Sequence, residues 1–191
     1  MAEISRRAQQ LGTENAFVVL AEVNELLRQG RPVISFCIGQ PDFATPENIR
    51  DAGIRAIREG KTGYTASAGI PELREAVARY MGAIRGIEIR PDDVVIGAGA
   101  KPFIAYAVMT VTDYNAGHEV IFPVPGFPIY ESQIRAQGAV PVPIYLDEKR
   151  SYTFDPAELA RRITPNPRLV ILNTPHNPCG SLLDTGTLRQ I

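Results

Sequence analysis

Leu169-Val170-Ile171-Leu172-Asn173-Thr174-Pro175-His176-Asn177-Pro178-Cys179-Gly180 joins two kinds of sequence. The opening residues form a short apolar run, rich in branched side chains and bounded by turn formers. Such a run reads as a buried, parallel strand. The residues after it have no periodicity and carry amides, an imidazole and a thiol. A strand that ends this way presents polar side chains at the carboxyl edge of a sheet, where open α/β sheets hold ligands. Asn, Pro and Gly also build turns for conformational reasons alone, so residues 173–180 read equally as a plain turn.

Working back from this junction, strands and helices alternate. Val94-Val95-Ile96 reads as a strand, Gly97-Ala98-Gly99-Ala100 as a small-residue turn and residues 101–111 as an apolar helix. Val120-Ile121-Phe122 is the next strand. A proline-rich loop over 123–128 holds Phe127, and a short helix over 129–137 stops at Gly138. Residues 140–146 are extended, and Pro141 and Pro143 mark an edge or distorted strand. Asp155, Pro156 and Glu158 make a helix start of the capping-box type, with the helix running to about 163. The alternation implies an α/β fold, a mainly parallel sheet with flanking helices.

The front of the chain is different. Residues 1–12 are polar and read as a loose arm. Residues 13–29 read as a helix with apolar Phe17, Leu20, Ala21, Val23, Leu26 and Leu27, stopped by Gly30. Residues 33–38 read as a short strand, broken by Gly39-Gln40-Pro41-Asp42-Phe43. Thr45 is the expected cap of a helix with Pro46 in its first turn and Gly60 at its end. Residues 61–69, including Tyr64, lack periodicity. A helix beginning near Pro71 carries Leu73, Ala76, Val77, Tyr80 and Ile84 on one face. At the far end Asp184 reads as a cap, and the last residues look like the opening turns of its helix. With no stop signal and no closing strand there, the chain reads as the front part of a longer protein.

Composition narrows the function class. A length of 191 residues points to one domain with room for an extra segment. Apolar residues make up 45% and charged residues 21%, which is ordinary globular composition. Lys plus Arg number 20 and Asp plus Glu 21, so charge offers no argument for nucleic acid or a membrane surface as partner. Cys37 and Cys179 have neither metal nor redox spacing, and unpaired thiols fit a reducing cytoplasm. No metal site, membrane span or signal-peptide core is legible.

The turn at 97–101 is the first candidate site. Small residues between a strand and a helix let backbone N–H groups approach an anion closely, and the helix dipole favours negative charge there. A phosphate fits; so does a tight turn that binds nothing. A dinucleotide does not fit. Gly97 and Gly99 match the first glycines of that fingerprint, but Pro102 stands at the third position, and Glu119 precedes the next strand instead of following it. The Walker spacing is absent.

Taken together, Gly39-Gln40-Pro41-Asp42-Phe43, Tyr64 with Ala68-Gly69-Ile70-Pro71-Glu72-Leu73-Arg74, the 97–101 turn and the 173–180 loop resemble the class I/II pyridoxal-phosphate-dependent aminotransferases. These are fold type I enzymes, with the aspartate aminotransferase fold. The segments occur in the family's order and spacing over nearly the whole chain. The resemblance implies an arm and part of a small domain over 1–44, and an incomplete cofactor-binding large domain over 45–191. It implies transfer of an amino group between an amino acid and a 2-oxo acid, pyridoxal 5′-phosphate as cofactor, and a homodimer.

It also implies residue roles. Gly99, Ala100 and Lys101 would meet the cofactor phosphate, joined by Tyr64 reaching over from the second subunit. Phe127 would stack on the pyridine ring, where many members carry Trp or Tyr. Asn177 would donate its amide to the cofactor's ring oxygen, stabilising negative charge there. Gly39 would offer its N–H to the substrate carboxylate, beside Asn177 and Phe127. Lys101 could instead approach an acidic substrate side chain. Cys179 departs from the usual Thr. For Tyr64, Phe127, His176 and Lys101 the plain alternatives are a half-buried packing tyrosine, a core phenylalanine, a structural histidine and a solvated lysine.

The Schiff-base lysine of such an enzyme is not among Lys61, Lys101 and Lys149, the lysines present. Lys61 precedes the Tyr64 loop, Lys101 belongs beside the phosphate and Lys149 sits in a polar turn. The 191-residue chain alone is therefore expected to be inactive. Three alternatives stay open: a non-catalytic fragment, a lyase or decarboxylase relative, and an unrelated α/β module binding a phosphorylated small molecule. The amino acid substrate is not legible.

Overall fold

In chain order the helices are α1 (Arg6–Gln9), α2 (Asn15–Arg28), α3 (Glu47–Arg58), α4 (Pro71–Arg85), α5 (Lys101–Val111), α6 (Ile129–Ala136), α7 (Pro156–Arg162) and α8 (Thr185–Gln190). The strands are β1 (Glu119–Val124), β2 (Val140–Tyr145) and β3 (Pro167–Val170). The computed structural model describes residues 3–9, 11 and 15–191. The chain divides into two compact units. One combines the described residues up to Val18 with Ala100–Ile191; the other is Val19–Gly99.

The first unit is the α/β layer expected from the alternation. Its sheet has the order β2-β1-β3, with both pairings parallel. Side chains of β1 alternate between two cores, as a pleated strand requires. Val120 and Phe122 join Val108, Tyr130, Ile134 and Ala139 on one face. Ile121 meets Ile144, Phe154 and Leu159 on the other. A fully buried aliphatic side chain such as Ile121 contributes roughly 1.5–3 kcal/mol. Burial on both faces is why β1 reads as a continuous apolar run instead of an alternating one.

β2 lies at the sheet edge, as its prolines indicate. Val140 donates its N–H to His118 O at 2.8 Å. By the two-residue period, Pro141 and Pro143 have their missing N–H on the free side, where no strand needs it. The expected loop at 123–128 begins later than anticipated, because β1 continues through Pro123 to Val124. Ile121 O, on the side facing β3, accepts from Ile171 N–H at 2.8 Å. Pro123 points its nitrogen to the same side, beyond the last β3 pairing at Val170, so no ladder bond is lost. β3 itself begins earlier than the Leu169 run and ends before Ile171. At α7, Asp155 accepts from Ala157 N–H, but the reciprocal half of the expected capping box is missing. The Glu158 carboxylate is held instead by Arg161 and Arg162.

In the second unit two expected strands do not form. Residues 33–38, with a bend at Cys37 and Ile38, and residues 94–96 have no ladder partner among the described residues. Around Val94 the polar groups are taken by other means. Val94 O accepts from Arg74 Nε at 3.0 Å, and Ile96 N–H donates to Ala68 O at 3.0 Å. The expected cap at Thr45 also moves: Pro46 flanks α3, and no side chain caps it. Of the expected apolar face of α4, Leu73, Tyr80 and Ile84 are exposed, while Ala76 and Val77 are partly covered. The covered side is turned from that face, carrying Arg74, Ala78, Met81 and Gly82 beside Val77. α4 packs on the 3-10 turn Pro91–Asp93, to which Arg74 donates at Pro91 O and Asp92 Oδ1. A Cβ at Gly82 would stand 2.9 Å from Ile87 O. The expected arm over 1–12 and the start of the 13–29 helix fall partly on residues outside those described.

Candidate active site

α5 starts immediately after the small-residue turn. Gly99 adopts φ +85°, in the left-handed region, and donates its N–H to Gly97 O at 3.0 Å. Ala100 flanks the helix and its carbonyl accepts from Phe103 and Ile104. Among the described residues no side chain caps this end, no acidic residue occupies its first turn, and proline is among the opening residues. A Cβ at Gly99 would meet nothing within 4 Å. An uncapped, acid-free helix start with open space before it suits a phosphate.

Phe127 follows the carboxyl end of β1. Gly126 sets its place, because a Cβ there would stand 2.2 Å from Pro123 O. Phe127 is half-buried, packs against the Val108–Ile134 core and meets Tyr130 edge-on at 5.9 Å. It is thus both a core residue and an available ring. The Lys101 ammonium lies 5.7 Å from the Phe127 centroid and 5.5 Å from that of Phe17. Such distances suit cation–π attraction. Phe17 was legible in the sequence only as an apolar residue of a helix. Its contact with Lys101 joins positions far apart in the chain and has no local signature.

Beyond β3 the 173–180 segment forms a closed turn. Asn173 Oδ1 accepts from Asn177 N–H at 2.9 Å, and Asn173 Nδ2 donates to Pro175 O at 3.1 Å. Thr174 Oγ1 accepts from Leu183 N–H at 3.0 Å. His176 is the buried polar residue of the described chain. Its N–H donates to Ser181 O at 2.9 Å and its carbonyl accepts from Gly180 N–H at 2.7 Å. Cys179 N–H donates to His176 Nδ1 at 3.4 Å. Burial holds the imidazole below its ordinary pKa. The imidazole is bonded within the turn, and its Nε2 is buried without a partner among the described residues. The Asn177 side chain is exposed, and none of the hydrogen bonds of the described residues uses its amide.

Ala100, Lys101, Phe127 and Asn177 thus belong to one unit, with Lys101 and Phe127 in direct juxtaposition. Gly39, Tyr64 and Gly99 belong to the other. Tyr64 is fully exposed, so it is not the half-buried packing tyrosine that was its plain alternative. It borders a recess with Lys61, Gly63, Thr65, Ile70 and Glu72. A Cβ at Gly39 would meet nothing within 4 Å, so packing does not demand glycine there. Lys61 is exposed and paired with Glu59 at 2.7 Å, which raises its pKa. Lys149 is exposed in the turn Glu148–Arg150.

No helix among the described residues is long and apolar enough to cross a membrane. A family model described as aminotransferase class I and II matches residues 31–191. The chain is 36% identical to a probable aspartate/prephenate aminotransferase of Aquifex aeolicus, over 98% of this chain and 47% of that one. It is 42% identical to an aspartate aminotransferase of Pyrococcus horikoshii, over 90% of this chain and 44% of that one. Among solved structures, the aspartate aminotransferase from Thermus thermophilus with maleate matches at a TM-score of 0.94 and 33% identity, covering 100% of this chain and 49% of that one. The chain spans about half the length of these relatives. The cofactor of this family is pyridoxal 5′-phosphate, and the helix start, aromatic ring and unpaired amide described above suit its phosphate, ring and ring oxygen. The parallel sheet, its flanking helices and the match over most of the sequence make this chain a member of the class I and II aminotransferases, with part of the aspartate aminotransferase fold.

Proposed function

We propose that the polypeptide to which these residues belong transfers an amino group between an amino acid and a 2-oxo acid. The observation that carries this reading is the uncapped, acid-free start of α5, with Lys101 set against the Phe127 ring. Gly99, Ala100 and Lys101 hold the cofactor phosphate through the helix start. Phe127 stacks on the pyridine, and Asn177 donates its amide to the ring oxygen. Gly39 offers its N–H to the substrate carboxylate. Tyr64 reaches the phosphate from a second copy, in a homodimer. When bound, pyridoxal phosphate supplies the electron sink that the chemistry requires. Residues 1–44 belong to the arm and small domain and 45–191 to the large domain. The cytoplasm is the compartment.

The substrate is proposed to be acidic. Lys101 provides an exposed cation 5.5 and 5.7 Å from the centroids of Phe17 and Phe127, and a cation of this kind suits a second carboxylate. The Thermus thermophilus relative was solved with maleate, a dicarboxylate, which supports the same class.

A cofactor-bound structure of the whole polypeptide, paired with an amino-transfer assay using aspartate and a neutral amino acid, tests the reading. The phosphate should lie within about 3.2 Å of the backbone N–H groups of Ala100 and Lys101, with transfer from aspartate preferred. A phosphate bound elsewhere, or no transfer from either donor, overturns it.

A further inference from the structure

We propose that neutral His176 is a positioning residue for Asn177, holding the 173–180 turn in the shape that presents the Asn177 amide to the cofactor. The inference rests on the reading of Asn177 as a cofactor contact. His176 is only 7% exposed. It closes the turn three times: through its own N–H to Ser181, its carbonyl from Gly180, and its ring Nδ1 from Cys179 N–H at 3.4 Å. Two of these bonds are backbone bonds that any residue makes. The third needs a side-chain acceptor at that place. Between the ring and the backbone bonds lies Asn177, whose own N–H is anchored to Asn173 Oδ1 at 2.9 Å.

The Cys179 contact dictates the protonation state. A nitrogen that accepts has no proton, so the neutral ring carries its single hydrogen on Nε2. That atom is buried without a partner among the described residues, and His176 borders a hollow of about 10 Å³ with Tyr152, Thr153, Asn173, Ser181 and Leu183. Nothing in that lining is charged; Tyr152 is its one titratable neighbour, with Cys179 on the turn itself. A second proton would enter at Nδ1, turn the acceptor into a donor and set it against the Cys179 N–H. Burial disfavours that proton as well. The imidazole thus works here as a fixed acceptor, and its titration would open the turn that carries Asn177.

Two amide replacements separate the ends of the ring. His176→Asn places an acceptor near the Nδ1 position, and His176→Gln places one near Nε2. Three measurements are made on the whole polypeptide: loss of cofactor affinity, the pH midpoint of the bound cofactor's visible absorption, and amide hydrogen exchange at Cys179 without cofactor. Asn177→Ala is the control and should raise the midpoint by about one unit, the size of one hydrogen bond. His176→Gln should raise it in the same direction and speed Cys179 exchange about tenfold. His176→Asn should restore both towards the unmodified protein. Equal midpoints in His176→Gln and the unmodified protein, with Asn177→Ala shifted, overturn the positioning role. Equal disturbance by Asn and Gln also overturns it, since an acceptor at Nδ1 would then not matter. An unshifted Asn177→Ala overturns instead the reading of Asn177 on which the inference rests.

Discussion

The Arg74 guanidinium donates through Nε to the carbonyl of Val94 at 3.0 Å, bridging 20 positions of sequence. The same Nε reaches Pro91 O at 3.0 Å, and Nη2 reaches Asp92 Oδ1 at 2.9 Å. One half-buried side chain therefore binds α4 to the segment that leads into the 97–101 turn. Arg74→Ala leaves the carbonyl of buried Val94 without this donor, at a cost of about 1–3 kcal/mol. Arg74→Lys should recover little, because an ammonium lacks the planar fork. The check is a lower urea midpoint in both variants, with faster hydrogen exchange at Ile96.

Gly126→Ala should disrupt the β1–α6 connection. Its Cβ would meet backbone, the Pro123 carbonyl at 2.2 Å, and backbone cannot swing aside as a flexible side chain can. Overpacking of this kind costs about 1–3 kcal/mol. A thermal melt should show the loss, and the Phe127–Tyr130 contact should shift in the variant's structure.

If Lys101 meets a substrate carboxylate, Lys101→Met should weaken binding of a dicarboxylate by about ten- to a hundredfold, the value of one charge-assisted hydrogen bond. Monocarboxylate binding should change far less. Phe17→Ala should have a smaller effect in the same direction, since it removes one of the rings near the ammonium. Spectral titration of cofactor-loaded protein with maleate and with a monocarboxylate measures both ratios.

Two groups predict acid sensitivity in different windows. Burial lowers the His176 pKa from 6.5, so the unfolded chain binds the extra proton first. The stability this group contributes is present above about 6.5 and is lost as pH falls through its lower folded value. Asp184 accepts from the N–H and hydroxyl of Thr187 at the start of α8, which lowers its pKa from 3.8. Its contribution is present above about 3.8 and is lost below that. His176→Asn should flatten the upper window of a stability-against-pH curve and leave the lower one. Asp184→Asn should do the reverse while keeping a cap.

Borohydride added to the 191-residue chain with pyridoxal phosphate should label no single lysine stoichiometrically. Lys61 is exposed and ion-paired, Lys149 is exposed, and Lys101 stands at the proposed phosphate end. All three side chains are exposed, whereas a Schiff-base lysine needs a desolvated amine. Peptide mapping after reduction gives the answer, and stoichiometric label on any one of the three would refute the expectation that none of them is the Schiff-base lysine.

Much of the first unit was legible because its signals are local. A branched apolar run, a proline at an edge, an aspartate before a helix and a glycine after one each act through neighbouring residues. β1, β2, α5, α6 and the Asp155 and Asp184 caps followed from such signals. The residues at 173–180 and 97–101 were found in the same way, since each is a departure from periodicity at the end of an element.

Pairing and facing were not local. Residues 33–38 and 94–96 have the composition of strands, yet a strand exists only where another backbone completes its ladder. At Val94 a guanidinium and a distant carbonyl took that place. The apolar stripe of α4 was plain in the sequence, but only its Ala76–Val77 side is covered, beside buried Ala78 and Gly82, which lies close to Ile87 O. The contact of Phe17 with Lys101 and the buried, one-sided bonding of His176 depend on residues brought together only by folding. The sequence by itself determined which residues could form elements and carry chemistry; the tertiary structure decided which of them met, because hydrogen bonds and burial are satisfied between segments and not within them.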